Sequence, residues 1–161
     1  FRSKGQGYGV NLFSYATYVA EVEVDTDTGS VEVIRIDTFI DAGKIIRKIG
    51  AEMQVEGGVA MGLGHTLTEE FLQKDGWPIT DSLTSYLIPS ILDVPMEISS
   101  TFIEPSSTED NNVSKGMAEL VLVPVAPAII NAIYDAVGVY INELPATPER
   151  VLLALNNKRM E

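Results

Sequence analysis

Apolar and polar residues alternate from Tyr18 to Asp25, with Tyr18, Ala20, Val22 and Val24 on one side and Val19, Glu21, Glu23 and Asp25 on the other. A period of two is the pattern of a strand with one solvated face. Asp27-Thr28-Gly29-Ser30 then supplies turn chemistry and a second β-rich run extends from Val31 to Ile40, so the two runs predict a hairpin. Within the second run the apolar phase slips from Val31 and Val33 to Ile34 and Ile36. Such a slip points either to a bulge or to a strand buried on both faces.

From Ala51 to Phe71 the period becomes helical, with Ala51, Val55, Val59 and Leu63 four residues apart and Glu69-Glu70 near the end. The same stretch carries Gly57, Gly58, Gly62 and Gly64. Each interior glycine costs about 1 kcal/mol relative to alanine, so together they set roughly 4 kcal/mol of propensity against the helix. A helix that keeps them has something very close to its backbone. Gly58 and Gly62 share a face, which favours a tight helix crossing over a ligand laid against the first turn.

Asp75-Gly76-Trp77-Pro78 reads as a turn, and Leu83 to Leu92, with Pro89 inside it and Pro95 after it, as irregular backbone with short extended pieces. Met96 to Ile103 predicts a strand and Glu104 to Val113 a polar loop. Pro124 and Pro127 open a helix with apolar Ile129, Ile130, Ile133 and Val137, closed by Gly138. Val139 to Ile141 predicts a short strand, and Thr147 with Pro148 the N-cap and first position of a last helix through Leu155. The sum is an α+β domain: a β-hairpin and mixed short strands packed with a glycine-rich helix and two C-terminal helices. It is one domain over residues 1–161, with 1–10 as a flexible lead.

Composition narrows the chemistry. At 161 residues and 45% apolar content the chain can bury a core, while 23 acids against 11 bases leave a net charge of −12. That balance argues against a phosphate-backbone ligand, so nucleic acid is not expected as a partner. Zero cysteines and one histidine exclude thiolate, iron–sulfur and multi-histidine metal sites in this chain, so no metal ligand is assigned. No apolar run approaches the roughly 20 residues of a membrane span, so no membrane partner is expected and the cytoplasm is the default compartment.

Three positions attract attention on chemistry alone. Glu119 follows small residues and precedes the apolar run Leu120 to Val123, where partial burial would favour work as a general base; the alternative is a surface-loop glutamate. Gln54 and Glu56, near the start of the glycine-bearing helix, could meet a polar or anionic ligand; the alternative is a solvated first turn. His65, without a second histidine or a cysteine, reads as a hydrogen-bonded structural residue rather than a ligand. Gly5, Gly7 and Gly9 fall short of a dinucleotide fingerprint, because position 10 is Val10 and the third glycine is missing.

Three stretches resemble the C-terminal portion of the molybdopterin-binding subunit of the xanthine dehydrogenase and aldehyde oxidase family. The first is Val19-Ala20-Glu21-Val22-Glu23-Val24-Asp25 with Asp27-Thr28-Gly29 and Asp41-Ala42-Gly43, similar to the family's strand–turn–strand and its aspartate–glycine turn. The second, Gln54-Val55-Glu56-Gly57-Gly58-Val59-Ala60-Met61-Gly62-Leu63-Gly64, resembles its glutamine- and glycine-rich helix. The third, Ser114-Lys115-Gly116-Met117-Ala118-Glu119 leading into Leu122-Val123-Pro124-Val125-Ala126-Pro127-Ala128, looks like the segment that ends in the family's catalytic glutamate.

The resemblance implies a molybdenum hydroxylase that places water-derived oxygen on a purine-like heterocycle or an aldehyde. It implies Glu119 as general base, and Gln54, Gly57, Gly58 and Ala118 at the cofactor, the two glycines letting pterin or neighbouring backbone approach the helix. The cofactor would be molybdopterin, plain or as the cytosine dinucleotide, and its dithiolene rather than protein cysteine would hold the metal. Iron–sulfur clusters and FAD would sit on other domains or subunits, and the remainder of the molybdopterin subunit would be a partner. On this reading the chain is an excised piece or a naturally separate subunit, inactive alone. The sequence departs from the family pattern at Arg47-Lys48, where an Asn-Pro pair is usual, and at Ala118 and Leu120, where Gly and Pro usually flank the glutamate. Those flanks motivate the rival reading, a catalytically silent assembly domain of the same fold.

Overall fold

The computed structural model describes residues 13–104 and 113–160. The Gly5, Gly7 and Gly9 spacing, the 1–10 lead and most of the polar loop lie outside them. Strands β1 (Tyr15–Val24) and β2 (Val31–Asp41) form the expected antiparallel hairpin. Its register runs Ala20 to Ile36 and Glu21 to Arg35, then Val22 to Val33, so Ile34 is the extra residue of a β-bulge. The bulge explains the phase slip. It returns Val33 to the face of Ile36, Thr38 and Ile40, all buried, and leaves Ile34 exposed. Gly29, at φ +77, closes the turn, and a Cβ there would run into the Pro148 carbonyl.

Helix α1 (Lys48–Leu67) starts three residues before the predicted Ala51 and stops four before Phe71. Glu69 and Glu70 therefore lie beyond it. Ala51, Val55, Val59 and Leu63 are all buried, as their spacing requires. Helix α2 (Val125–Val137) buries Val125, Ile129 and Ile133 and ends at Gly138 in the left-handed conformation. The glycines resolve the crossing of these elements. A Cβ on Gly58 would collide with Val121, and one on Gly62 would lie 2.5 Å from Val125 Cβ. Gly57, in contrast, has nothing within 4 Å of where its Cβ would stand.

After α1 the chain makes a two-residue hairpin of β3 (Gln73–Lys74) and β4 (Trp77–Pro78) around Asp75-Gly76, then irregular turns. The predicted strand appears as β5 (Glu97–Phe102), which lies parallel to β2 in a sheet of order β1-β2-β5. Helix α3 (Pro148–Met160) begins at Pro148 and runs five residues past the predicted Leu155. The strand predicted for Val139 to Ile141 is not formed. Val139 and Ile141 are buried with Tyr140 exposed between them, so the alternation reports one-sided burial of a segment that pairs with no strand among the described residues. Among the described residues no helix is long and apolar enough to cross a membrane.

Candidate functional site

An open cleft of about 320 Å³ lies at the start of α1. One wall is the turn that leaves β2, including Lys44 and Arg47; the second is the first two turns of α1, with Gly50 and Gln54; the third is the segment carrying Ser114, Lys115 and Ala118. Arg47 occupies the N-cap position in extended backbone but makes no side-chain capping bond, as its chemistry dictates: a guanidinium has donors only and cannot satisfy helix N–H groups. This chain thus places a cation on the cleft at the position of a helix cap.

The walls are fastened by hydrogen bonds between residues far apart in sequence. Gln54 Nε2 donates to the Ala118 carbonyl at 3.0 Å. The carbonyl partner fixes the amide's orientation, because an oxygen turned toward it would be repelled, and the Gln54 Oε1 is not used by that bond. Gly43 and Ser114 form an antiparallel bridge, flanked by Lys44 N–H to the Val113 carbonyl at 3.0 Å and Lys115 N–H to the Ala42 carbonyl at 2.8 Å. Gly43 adopts φ +66, and a Cβ there would strike the Val113 carbonyl oxygen, so the close approach of the two segments requires glycine.

Lys115 closes the arrangement. Its ammonium donates to both Asp41 oxygens, at 2.9 and 2.8 Å, and stands 5.6 Å from the centroid of the Tyr15 ring. Asp41 Oδ1 also accepts the Gly43 N–H at 3.0 Å. The Lys115 ammonium first, and then the Gly43 amide, hold the Asp41 carboxyl below the usual carboxylate range.

The predicted site residues divide accordingly. Gln54 and Ala118 meet at the cleft. Glu119 stands one residue beyond Ala118, at the head of the turns leading into α2, and is exposed, the surface-loop alternative of the two that its sequence surroundings left open. Of the apolar run after it only Val121 is fully buried, because successive three-residue turns, bonded from Leu122 N–H to the Glu119 carbonyl and from Val123 N–H to the Leu120 carbonyl, point residues two apart in different directions and leave Val123 67% exposed. Gln54 lies in the second turn of α1 and Glu56 in its third, not in the first, since the helix begins at Lys48. Gly58 faces Val121, the neighbouring-backbone alternative rather than open space, while Gly57 is open. His65 is exposed in the last turn of α1, away from the cleft, rather than tied into the interior. Sequence reasoning missed Lys44, Arg47 and Asp41 as elements of this place. Lys115 was visible inside its motif, but nothing local assigned it a carboxylate 74 residues away.

Fold and site together define an α+β ligand-binding domain whose cleft combines an amide, the cationic side chains of Lys44 and Arg47 and a helix N-terminus, donors suited to an anionic, hydrogen-bonding organic group. A family model described as "Molybdopterin cofactor-binding domain" matches residues 1–95, and the chain belongs to that family, that of the xanthine dehydrogenases and aldehyde oxidases. It is 39% identical over 93% of its length to a probable xanthine dehydrogenase subunit of Bacillus subtilis (strain 168), of which it covers 20%. It is 35% identical over 86% of its length to the gamma subunit of the 6-hydroxypseudooxynicotine dehydrogenase complex of Paenarthrobacter nicotinovorans, covering 18% of that protein. The solved aldehyde oxidoreductase from Desulfovibrio gigas superposes with a TM-score of 0.81 at 33% identity, over 89% of this chain and 15% of that one. The chain thus spans about a fifth or less of the length of these relatives.

Proposed function

We propose that this chain forms part of the active site of a molybdenum hydroxylase acting on a purine-like heterocycle or an aldehyde, with Glu119 as general base and Gln54 as a cofactor contact. The observation that carries the reading is the Gln54 to Ala118 bond, which joins the glutamine-bearing helix to the glutamate-bearing segment at the mouth of one cleft. The donor set fits the cofactor of the family. When bound, the molybdopterin group supplies the metal and accepts the electrons of the oxidation.

The chain's own residues then have distinct tasks. Gln54, held at one N–H by the Ala118 carbonyl, keeps Oε1 for the pterin. Arg47 offsets anionic charge at the cleft. Gly57 lets a ligand or a neighbouring domain approach α1 on its open side, whereas Gly58 serves the crossing with Val121. Glu119 takes a proton from the water-derived nucleophile as it attacks the electron-poor carbon. The relatives' greater length supports a further part of the subunit that covers Glu119 and supplies substrate contacts, with iron–sulfur and flavin groups on other domains or subunits.

In the complete enzyme Glu119→Gln lowers turnover by several orders of magnitude at nearly unchanged molybdenum content. Near-normal activity overturns the assignment. The 161 residues alone bind no stoichiometric molybdenum and show no hydroxylase activity; tight metal loading of this chain refutes the partial-site reading.

A further inference from the structure

We infer that Lys115, through its ion pair with Asp41, is a positioning residue that aims the Glu119-bearing segment at the cleft. The inference rests on the proposed role of Glu119 and deepens it. The segment from Ser114 to Glu119 belongs to no strand or helix, so its course is set by what fastens it. At its N-terminal end stand the Gly43 to Ser114 bridge, the Ser114 Oγ bond to the Lys44 carbonyl at 2.8 Å and the Lys115 N–H bond to the Ala42 carbonyl. In its middle Ser14 Oγ donates to the Gly116 carbonyl at 2.6 Å, and at its far end Gln54 holds the Ala118 carbonyl.

All of these except the ion pair depend on neutral hydrogen bonds, and several are exposed. The Lys115 ammonium is the charged fastening, 19% exposed in its side chain, and it grips both oxygens of a carboxylate that is itself locked onto the Gly43 amide. Asp41 ends β2, so the pair ties the segment to the rigid sheet rather than to another loop. Charge-assisted bonds in partial shelter from water are stronger than neutral ones. Releasing this one lets the residues between Lys115 and Glu119 shift, and a displacement on the order of 1 Å at a catalytic group costs about 100-fold in rate.

The test is made in the cofactor-loaded full-length enzyme. Lys115→Met is expected to lower kcat by about 10- to 100-fold with KM changed less than about threefold, because alignment of the base and not substrate affinity is lost. Lys115→Arg, which keeps the charge and reach of the pair, is expected to restore most of the rate. Hydrogen–deuterium exchange supplies a readout that does not need turnover: amides of the peptide spanning 113–120 exchange faster in Lys115→Met and in Asp41→Asn than in the parent, at equal molybdenum content and unchanged circular dichroism. Asp41→Asn removes the pair with little change of volume, so it decides the matter where Lys115→Met folds poorly. Unchanged exchange in that peptide, or unchanged kcat once the pair is broken, overturns the inference. The Glu119→Gln enzyme separates the two readings. Near-normal turnover there overturns the base assignment, while the exchange result still decides whether the pair fastens the segment.

Discussion

Adjacent glycines in α1 offer opposite responses to the same added methyl. At Gly57 the new Cβ meets nothing within 4 Å, so Gly57→Ala gains the helix propensity alone, about 1 kcal/mol of stability. At Gly58 the Cβ would enter Val121 Cγ2 and stand 3.1 Å from the Val121 carbonyl carbon. Val121 is fully buried just ahead of α2 and cannot swing outward. Overpacking of this kind costs up to about 3 kcal/mol where backbone must move, so after the propensity gain Gly58→Ala loses about 2 kcal/mol. Equilibrium urea unfolding of the two variants and the parent measures both, and the predicted gap is about 3 kcal/mol from those two figures. A Gly58→Ala protein as stable as the parent would refute the close crossing as the reason for the glycine. A destabilised Gly57→Ala protein would refute the open surface. In the loaded enzyme, where that side receives the cofactor or a neighbouring domain, Gly57→Ala lowers molybdenum content even though it stabilises the chain.

Two further outcomes follow from single groups. Tyr18 is buried on β1, and among the described residues its hydroxyl has no hydrogen-bond partner, so burial pushes its phenol up; Tyr18→Phe is expected to leave stability unchanged or raise it by about 1–2 kcal/mol. A loss above about 1 kcal/mol in thermal unfolding would show that the hydroxyl is satisfied. The Asp41 carboxyl is held below its ordinary value when folded, so the unfolded chain takes up that proton more readily. Its contribution is complete above the ordinary aspartate value of about 3.9 and is lost as pH falls through the lower folded value. Stability measured from about pH 6 down to about pH 2 therefore falls less steeply below about pH 4 in Asp41→Asn than in the parent, and identical slopes would count against the Lys115 pair.

The site was legible in its parts. Gln54 and Glu119 stand out because an amide beside a glycine run and a carboxylate after small residues carry chemistry whatever their surroundings. What they touch was not legible. The Gln54 bond spans 64 residues and the Lys115 pair 74, and no local pattern encodes a partner at that distance. The exposure of Glu119 within this chain is the surface-loop alternative that the sequence already offered. What the sequence did not settle is which residues of the apolar run after it turn inward: the turns there send Val121 inward and Val123 outward. Arg47-Lys48 reads as a departure from pattern. In the structure these residues mark where α1 begins, and Arg47 exchanges a helix cap for a cation on the cleft.

Local sequence carries the elements and their inward faces: the hairpin and its bulge, the stripe from Ala51 to Leu63, and the caps at Gly138 and Thr147. These follow from periodicity and backbone preference, which act over a few neighbouring residues. Packing of the whole chain sets what remains: β5 lies parallel beside β2, Val139 to Ile141 forms no strand, and Gly58 meets Val121 while Gly57 stays open. It also brings the aspartate–glycine turn, the glutamine helix and the glutamate segment to one cleft. Those facts depend on which surfaces find each other once the chain closes on its core, a choice made by shape and charge across long sequence separations.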